Sequence, residues 1–150
     1  MYGNRGKFTV HIMVGYPGAG KTTYVEKNFP GLDVASIDLI RKEHNWYGPT
    51  EKTSTHLCEE YRIYGKIVHE LFEKGKDFVS DMTNCGIERR SLVRMAEQYG
   101  ANVHIVWMKT DINTCLERRK GQMSEIDVVR NKDMFKMIEP WEYDTLTIVY

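Results

Sequence analysis

Residues 15–23 read GYPGAGKTT and follow the apolar run FTVHIMV. Gly15 to Thr22 fits G-x-x-x-x-G-K-[ST] between a strand-like and a helix-like stretch, the context in which that spacing builds a phosphate cradle. The cause is local. Gly15, Gly18 and Gly20 permit backbone angles and close approach that a Cβ would block. Successive N–H groups then turn inward toward an anion, at the positive end of the next helix. Tyr16, Pro17, Ala19 and Thr23 complete the loop. Lys21 supplies a point charge for the β- and γ-phosphates, and the Thr22 hydroxyl is a ligand for Mg²⁺. The stretch implies bound ATP or another nucleoside triphosphate, with Mg²⁺. A glycine-rich turn without a ligand is the plainer alternative.

Three further clusters carry polar groups that a phosphate cradle can use. VASID is followed by LIRKE, so Asp38 stands near a strand end with Arg41 three residues on. An Asp there can accept the proton of an acceptor hydroxyl, and an Arg on the same face can hold an acceptor phosphate. Capping of the next helix is an equal reading for Asp38. FVSD then MTN puts Asp81 in the place of a carboxylate that holds Mg²⁺ directly or through water. Thr83 and Asn84 follow as acceptor-side or helix-capping residues, with capping favoured for Asn84. CLERRKGQ places Arg118, Arg119 and Lys120 at a helix end before a Gly-containing loop. There they complement the helix dipole or close on transferring phosphates as a lid.

The elements that must position these groups alternate. Strands are expected at Lys7–Val14, Val34–Ile37, Phe78–Ser80, Val103–Met108 and Leu146–Val149. Helices are expected at Thr22–Asn28, Ser54–Lys74, Glu88–Tyr99, Asp111–Arg119 and Asp127–Met137, with Pro140 ending the last one. Strand–helix alternation with apolar strands predicts an α/β three-layer sandwich: a mostly parallel sheet of about five strands with helices on both faces. Ligands in such sheets bind beyond the carboxyl ends of the strands, where all the groups above fall.

Composition sets the remaining bounds. The 150 residues fit one domain, spanning 1–150, and carry 21 basic and 21 acidic side chains. That balance argues against non-specific coating of nucleic acid, which goes with a basic excess. No run reaches a membrane span and the first residues lack a signal-like apolar core, so a cytoplasmic protein without a membrane partner is expected. Cys58, Cys85 and Cys115 form no C-x-x-C, so neither zinc nor a disulfide framework is expected. The histidines at 11, 44, 56, 69 and 104 show no ligand spacing. Trp46 and Tyr47 are placed to stack a base or to fold onto the core.

GYPGAGKTT, SID-x-x-R, VSD-x-TN-x-x-x-ERR, the C-x-x-RR stretch and IDVVR, in this order and spacing, resemble the kinase domain of bacteriophage polynucleotide kinases. The likeness runs from about Phe8 to about Lys136. It implies a P-loop NTPase fold and transfer of the γ-phosphate of ATP to the 5′-hydroxyl of a nucleic acid end. It implies Asp38 as general base, Arg41 as the grip on the acceptor's phosphate, and Asp81 at the acceptor site. Arg118, and with it Arg119, would engage the donor phosphates, and Arg130 would lie near the nucleotide base, against a surface role on its helix. A nucleoside, a small metabolite or a hydroxymethylated base in DNA are alternative acceptors. A nucleotide-binding regulator without transfer is the reading from another class.

Overall fold

The computed structural model describes residues 7–47 and 56–150. Five strands, β1 (Thr9–Val14), β2 (Asp33–Ala35), β3 (Phe78–Ser80), β4 (Asn102–Met108) and β5 (Thr145–Val149), form one sheet in the order β2-β3-β1-β4-β5. Every pairing is parallel. Parallel neighbours need crossovers, and the helices supply them. They are α1 (Lys21–Asn28), α2 (Ile37–His44), α3 (Leu57–Lys74), α4 (Ile87–Tyr99), α5 (Ile112–Arg119) and α6 (Glu125–Asp133).

The sheet is buried on both faces, which is why its strands read as continuous apolar runs. Val10, Ile12 and Val14 of β1 pack with Val103 and Ile105 of β4 against Val68 and Phe72 of α3 and Leu92 and Ala96 of α4. Met13 and Val106 face the other way, toward Val25 of α1, Cys115 of α5 and Val128 of α6. Among the described residues no helix is long and apolar enough to cross a membrane.

Several boundaries differ from the sequence reading, each for a local reason. The second strand stops at Ala35, not Ile37, because Ser36 caps a helix the sequence left undefined: its Oγ accepts the Leu39 N–H at 3.4 Å. Asp38 is therefore not the cap but a first-turn residue. Asp111 caps α5 and Ser124 caps α6, each accepting an N–H three residues on. The last helix ends at Asp133, four residues short of Met137. Pro140 ends no helix but opens a short 3-10 helix, Pro140–Glu142. The start expected at Ser54 for α3 lies outside the described residues.

A buried ion pair anchors the chain just beyond the end of α6. Arg89 of α4 is fully buried, and its Nε donates to Glu142 Oε1 at 2.6 Å. Its other nitrogens donate to the carbonyls of Asn84, Cys85, Lys136 and Met137. The Lys136 amide donates to the Cys85 carbonyl at 2.7 Å and not to a carbonyl four residues back, so the helix has ended by there, and the guanidinium ties the loop after β3 to the chain before β5. A fully hydrogen-bonded buried pair of this kind fixes position more than it adds stability.

A second buried polar contact joins the sheet's central strands. His11 of β1 and His104 of β4 are register partners, with their Nδ1 atoms 2.7 Å apart. His104 Nε2 reaches Thr147 Oγ1 of β5 at 2.8 Å, and Phe29 covers the His11 ring at 4.3 Å between centroids. One Nδ1 must donate and the other accept, so the accepting ring is neutral. Burial first, then His104, pushes the His11 pKa down to about 4, against a smaller opposing pull from Asp77. Burial also lowers that of His104. Both groups thus bind protons more weakly folded than unfolded. Above the ordinary value of 6.5 they contribute no pH dependence. As pH falls from 6.5 toward 4, the unfolded chain takes up protons that the fold refuses, and stability is lost. The urea midpoint is expected to fall steadily from pH 6.5 to 5, and the His11→Gln/His104→Gln protein should show a flatter profile over that interval. Parallel profiles would exclude the pair as the cause.

Candidate functional site

The glycine-rich loop leaves β1 between its neighbours β3 and β4, and both sides hold it. The Gly15 amide donates to the Thr83 carbonyl at 3.0 Å. From the β4 side, Thr110 Oγ1 donates to the Ala19 carbonyl at 2.8 Å, and an Arg118 Nη donates to the Gly18 carbonyl at 3.0 Å. Gly18 has φ of +88°, and a Cβ there would meet the Cys115 carbonyl at 2.9 Å, so only glycine lets the loop lie on α5. Gly20, at φ +94°, turns the chain into α1 and leaves the N-terminal amides of that helix without a side-chain cap. An anion is the natural partner for amides so placed.

Lys21 Nζ donates to the carbonyls of Gly15 and Tyr16, at 3.0 and 2.8 Å. Burial pulls its pKa below the ordinary lysine value, opposed by the Asp81 carboxylate. Thr22 Oγ1 donates to Asp81 Oδ2 at 2.9 Å. The Asp81 pKa is raised, first by burial, with Thr22 and Lys21 pulling it down and Asp38 pushing it up. A hydroxyl and a carboxylate in contact at the loop are hard oxygen donors, a set that fits Mg²⁺.

The opposite wall comes from α2 and α3. Arg41 Nη1 lies 3.3 Å from Asp38 Oδ1, and Arg41 Nε donates to Glu60 Oε1 at 2.7 Å. Glu60 is 0% exposed and the Arg41 side chain 11%, whereas the Asp38 side chain is 56% exposed. Arg41 is thereby fixed from behind, and Asp38 keeps a carboxylate open to solvent.

A cleft of about 1220 Å³ gathers most of the residues expected to act together. Pro17 to Thr23, Asp38, Arg41, Asp81, Thr83, Arg118 and Arg119 all line it. Gly15 and Tyr16 lie outside the lining and contribute the carbonyls that hold Lys21. Asn84 departs from expectation. It neither caps α4, where Gly86 takes the N-cap position, nor reaches the cleft. It is 1% exposed with φ of +47°, and its amide donates to the Met13 carbonyl and to Ser80 Oγ, tying β1 to β3. The arginines divide as well. Arg118 is exposed and touches the loop, while Arg119 is tucked in, bonded to Gln122, with its buried Nε lacking a partner among the described residues. Arg130 lines the cleft beside Asp127 with its side chain 62% exposed, so it is a surface residue of α6 that borders the cleft. Trp46 stacks between His44 and His56, joining the end of α2 to the start of α3.

Sequence reasoning missed Glu60, Tyr61 and Glu88. The signal for Glu60 was present: it sits among Leu57, Tyr61 and Tyr64 on the apolar face of α3, and a carboxylate there must be paired. Glu88 and Tyr61 show no such signal, since their place on the cleft follows from how α3 and α4 pack.

A parallel five-stranded sheet with a glycine-rich loop leaving its central strand defines the α/β P-loop NTPase fold. The family model described as AAA domain (AAA_33) matches residues 10–134, and the chain belongs to that family. No curated protein sequence matches it. Solved structures similar to it include a candidate kinase from Chloroflexus aurantiacus J-10-fl, at 12% identity and TM-score 0.70, covering 96% of this chain and 88% of that one. Chaetomium thermophilum Kti12 in complex with ADP-AlF3 is similar at 14% identity and TM-score 0.61, over 93% and 88% of the two chains. The Mycobacterium tuberculosis APS kinase CysC, in complex with AMPPNP and APS, is similar at 18% identity and TM-score 0.55, over 93% and 87%.

The Arg41–Glu60 pair can be tested apart from any activity. Removing one member of a buried pair strands the other charge and costs about 3–5 kcal/mol, whereas replacing both is far milder. Glu60→Leu should therefore destabilise the protein more than Arg41→Leu/Glu60→Leu does, measured by urea denaturation. A double variant at least as unstable as the single one would show that Arg41 does not depend on Glu60.

Proposed function

We propose that the protein is an ATP-dependent kinase that transfers the γ-phosphate to a hydroxyl, and that the acceptor is the 5′-hydroxyl of a polynucleotide. One observation carries the reading: an open carboxylate, Asp38, and a buried, fixed cation, Arg41, face the same cleft as the phosphate cradle. A protein that only binds and releases a nucleotide has no use for a base on that wall.

The donor phosphates occupy the loop from Gly15 to Thr23, against the uncapped N-terminal amides of α1. Lys21 exchanges the Gly15 and Tyr16 carbonyls for the β- and γ-phosphates, and Arg118 and Arg119 approach from α5. Thr22 and Asp81 would hold Mg²⁺, which would offset the charge of the phosphates. Asp38 accepts the proton of the acceptor hydroxyl as its oxygen bonds to the γ-phosphorus. The bond from that phosphorus to the β–γ bridging oxygen breaks, and ADP leaves. Arg41 orients the acceptor through the phosphate beside the reacting sugar, with Thr83 on the same wall.

A second reading keeps the chemistry and changes the acceptor to a nucleoside, a small metabolite or a hydroxymethylated base. Two carboxylates on the acceptor wall besides Asp81, those of Asp38 and Glu88, favour an acceptor with little negative charge. Activity assays separate the readings. Asp38→Asn keeps the shape but cannot take the proton, so ATP binding should persist while transfer to a 5′-hydroxyl oligonucleotide falls by about two to four orders of magnitude. Arg41→Ala should weaken transfer to the oligonucleotide more than to a nucleoside. Near-normal oligonucleotide phosphorylation by Asp38→Asn would refute the assigned base. Wild-type transfer to a nucleoside but to no oligonucleotide would move the assignment to the second reading.

A further inference from the structure

The cleft exceeds the roughly 300–1,000 Å³ of a pocket for one small ligand, and its walls differ in character. The wall from α5 and α6 carries Arg118, Arg119 and Arg130, with one carboxylate, Asp127, 3.7 Å from Arg130. The opposite wall carries Asp38, Asp81 and Glu88 against the single cation Arg41. Among these carboxylates stands an apolar surface on α3. Leu57 and Tyr61, four residues apart and so on one helix face, line the cleft while 53% and 49% exposed. Glu60, between them in sequence, turns inward to Arg41.

The Tyr61 ring is not engaged by its polar end. Tyr64, one turn on, has its hydroxyl bonded to Ser80 Oγ at 2.7 Å, whereas Tyr61 makes no hydrogen bond among the described residues. Its phenol is pushed above the ordinary value by burial and then by Glu88, with Arg41 opposing, so the ring is uncharged at neutral pH and lies within the reach of both charges. A large ring left open on a cleft wall offers its face. Glu88, whose charge reaches Tyr61, disfavours a second phosphate here, and the open ring face suits a flat, uncharged part of an acceptor.

Resting on the polynucleotide reading above, we propose that Tyr61, backed by Leu57, is the platform on which the base of the acceptor's terminal nucleotide stacks. Arg41 then meets the phosphate of that nucleotide, and the 5′-hydroxyl is delivered to Asp38. Stacking on an aromatic side chain is tolerant of base identity, because every base has a π-face. The platform gives affinity for a terminal nucleotide without sequence preference.

The test compares two acceptors in steady state, with the full chain and ATP. One oligonucleotide begins with a 5′-hydroxyl deoxyadenosine. The other begins with an abasic 5′-hydroxyl deoxyribose carrying the same phosphate. The wild-type protein should favour the first by about tenfold or more in kcat/KM, through KM. Tyr61→Ala should raise KM for the base-bearing end by a similar factor and leave the abasic end and kcat unchanged. Tyr61→Phe should retain the preference. Tyr61 is half exposed, so alanine fits there. Tyr61→Leu carries the same expectation should the alanine protein lose its fold. An equal effect of Tyr61→Ala on both acceptors, or no effect on either, overturns the platform while leaving the kinase reading intact. No transfer by the wild-type protein to either oligonucleotide overturns the polynucleotide reading and the platform with it.

Discussion

The hydrogen bond from the Gly15 amide to the Thr83 carbonyl is the contact on which the site's geometry depends. It joins the loops that leave two adjacent parallel strands, and so locks the phosphate cradle to the segment that carries Asp81. Asn84 reinforces the join from beneath by bonding Met13 of β1 and Ser80 of β3. Arg89 holds the Asn84 and Cys85 carbonyls in turn, and draws in the chain before β5 through Glu142. Each buried polar group in this sequence of contacts has a partner, which is the condition under which such a network fixes one arrangement. Because all five strands run parallel, their carboxyl ends share one edge. A displacement of either central loop would move the cradle relative to the acceptor wall.

That edge is electrically divided. Three arginines and one carboxylate, Asp127, from α5 and α6 stand on one side of the cradle, and carboxylates from α2, the loop after β3 and α4 on the other. The zero net charge of the chain conceals this division, since the whole-molecule sum says nothing about a cleft. A polyphosphate is attracted to one wall, while the other admits an anion only where Arg41 stands. The buried Glu60 constrains that exception further. It holds Arg41 in place, and it also offsets part of the charge, so the acceptor wall is a precise point of contact and not a basic surface.

The cradle was legible in the sequence because its chemistry is local: glycine spacing, lysine and threonine all fall within nine residues. The strands were legible because burial on both faces makes them continuous apolar runs. What was not legible depended on tertiary packing. Ser36 is the cap that frees Asp38, but an apolar Ile37 beside it extended the expected strand by two residues. Asn84 looked like a cap and is a buried tie, since its left-handed backbone and its partners on β1 are invisible from its neighbours in sequence. The end of α6 was overrun because the Lys136 amide bonds to the Cys85 carbonyl, a partner distant in sequence. The pairing of His11 with His104 follows from strand register alone, which two isolated histidines in a sequence cannot reveal.

The cations of the cradle are already provided for before any anion arrives. Lys21 sits on the Gly15 and Tyr16 carbonyls and Arg118 on that of Gly18, so positive groups are held by the carbonyls of the loop itself. Burial penalises the charge on Lys21 and also the charge on Asp81, and each relieves the other. A phosphate entering the loop replaces neutral carbonyl acceptors with a charged one, and charge-assisted hydrogen bonds are roughly twice as strong as neutral ones. The exchange requires a shift of two side-chain ends and no rearrangement of the loop, because the backbone is fixed from β3 by Thr83 and from β4 by Thr110. The uncapped amides of α1, Lys21 and an α5 arginine together suit a group with several charged oxygens.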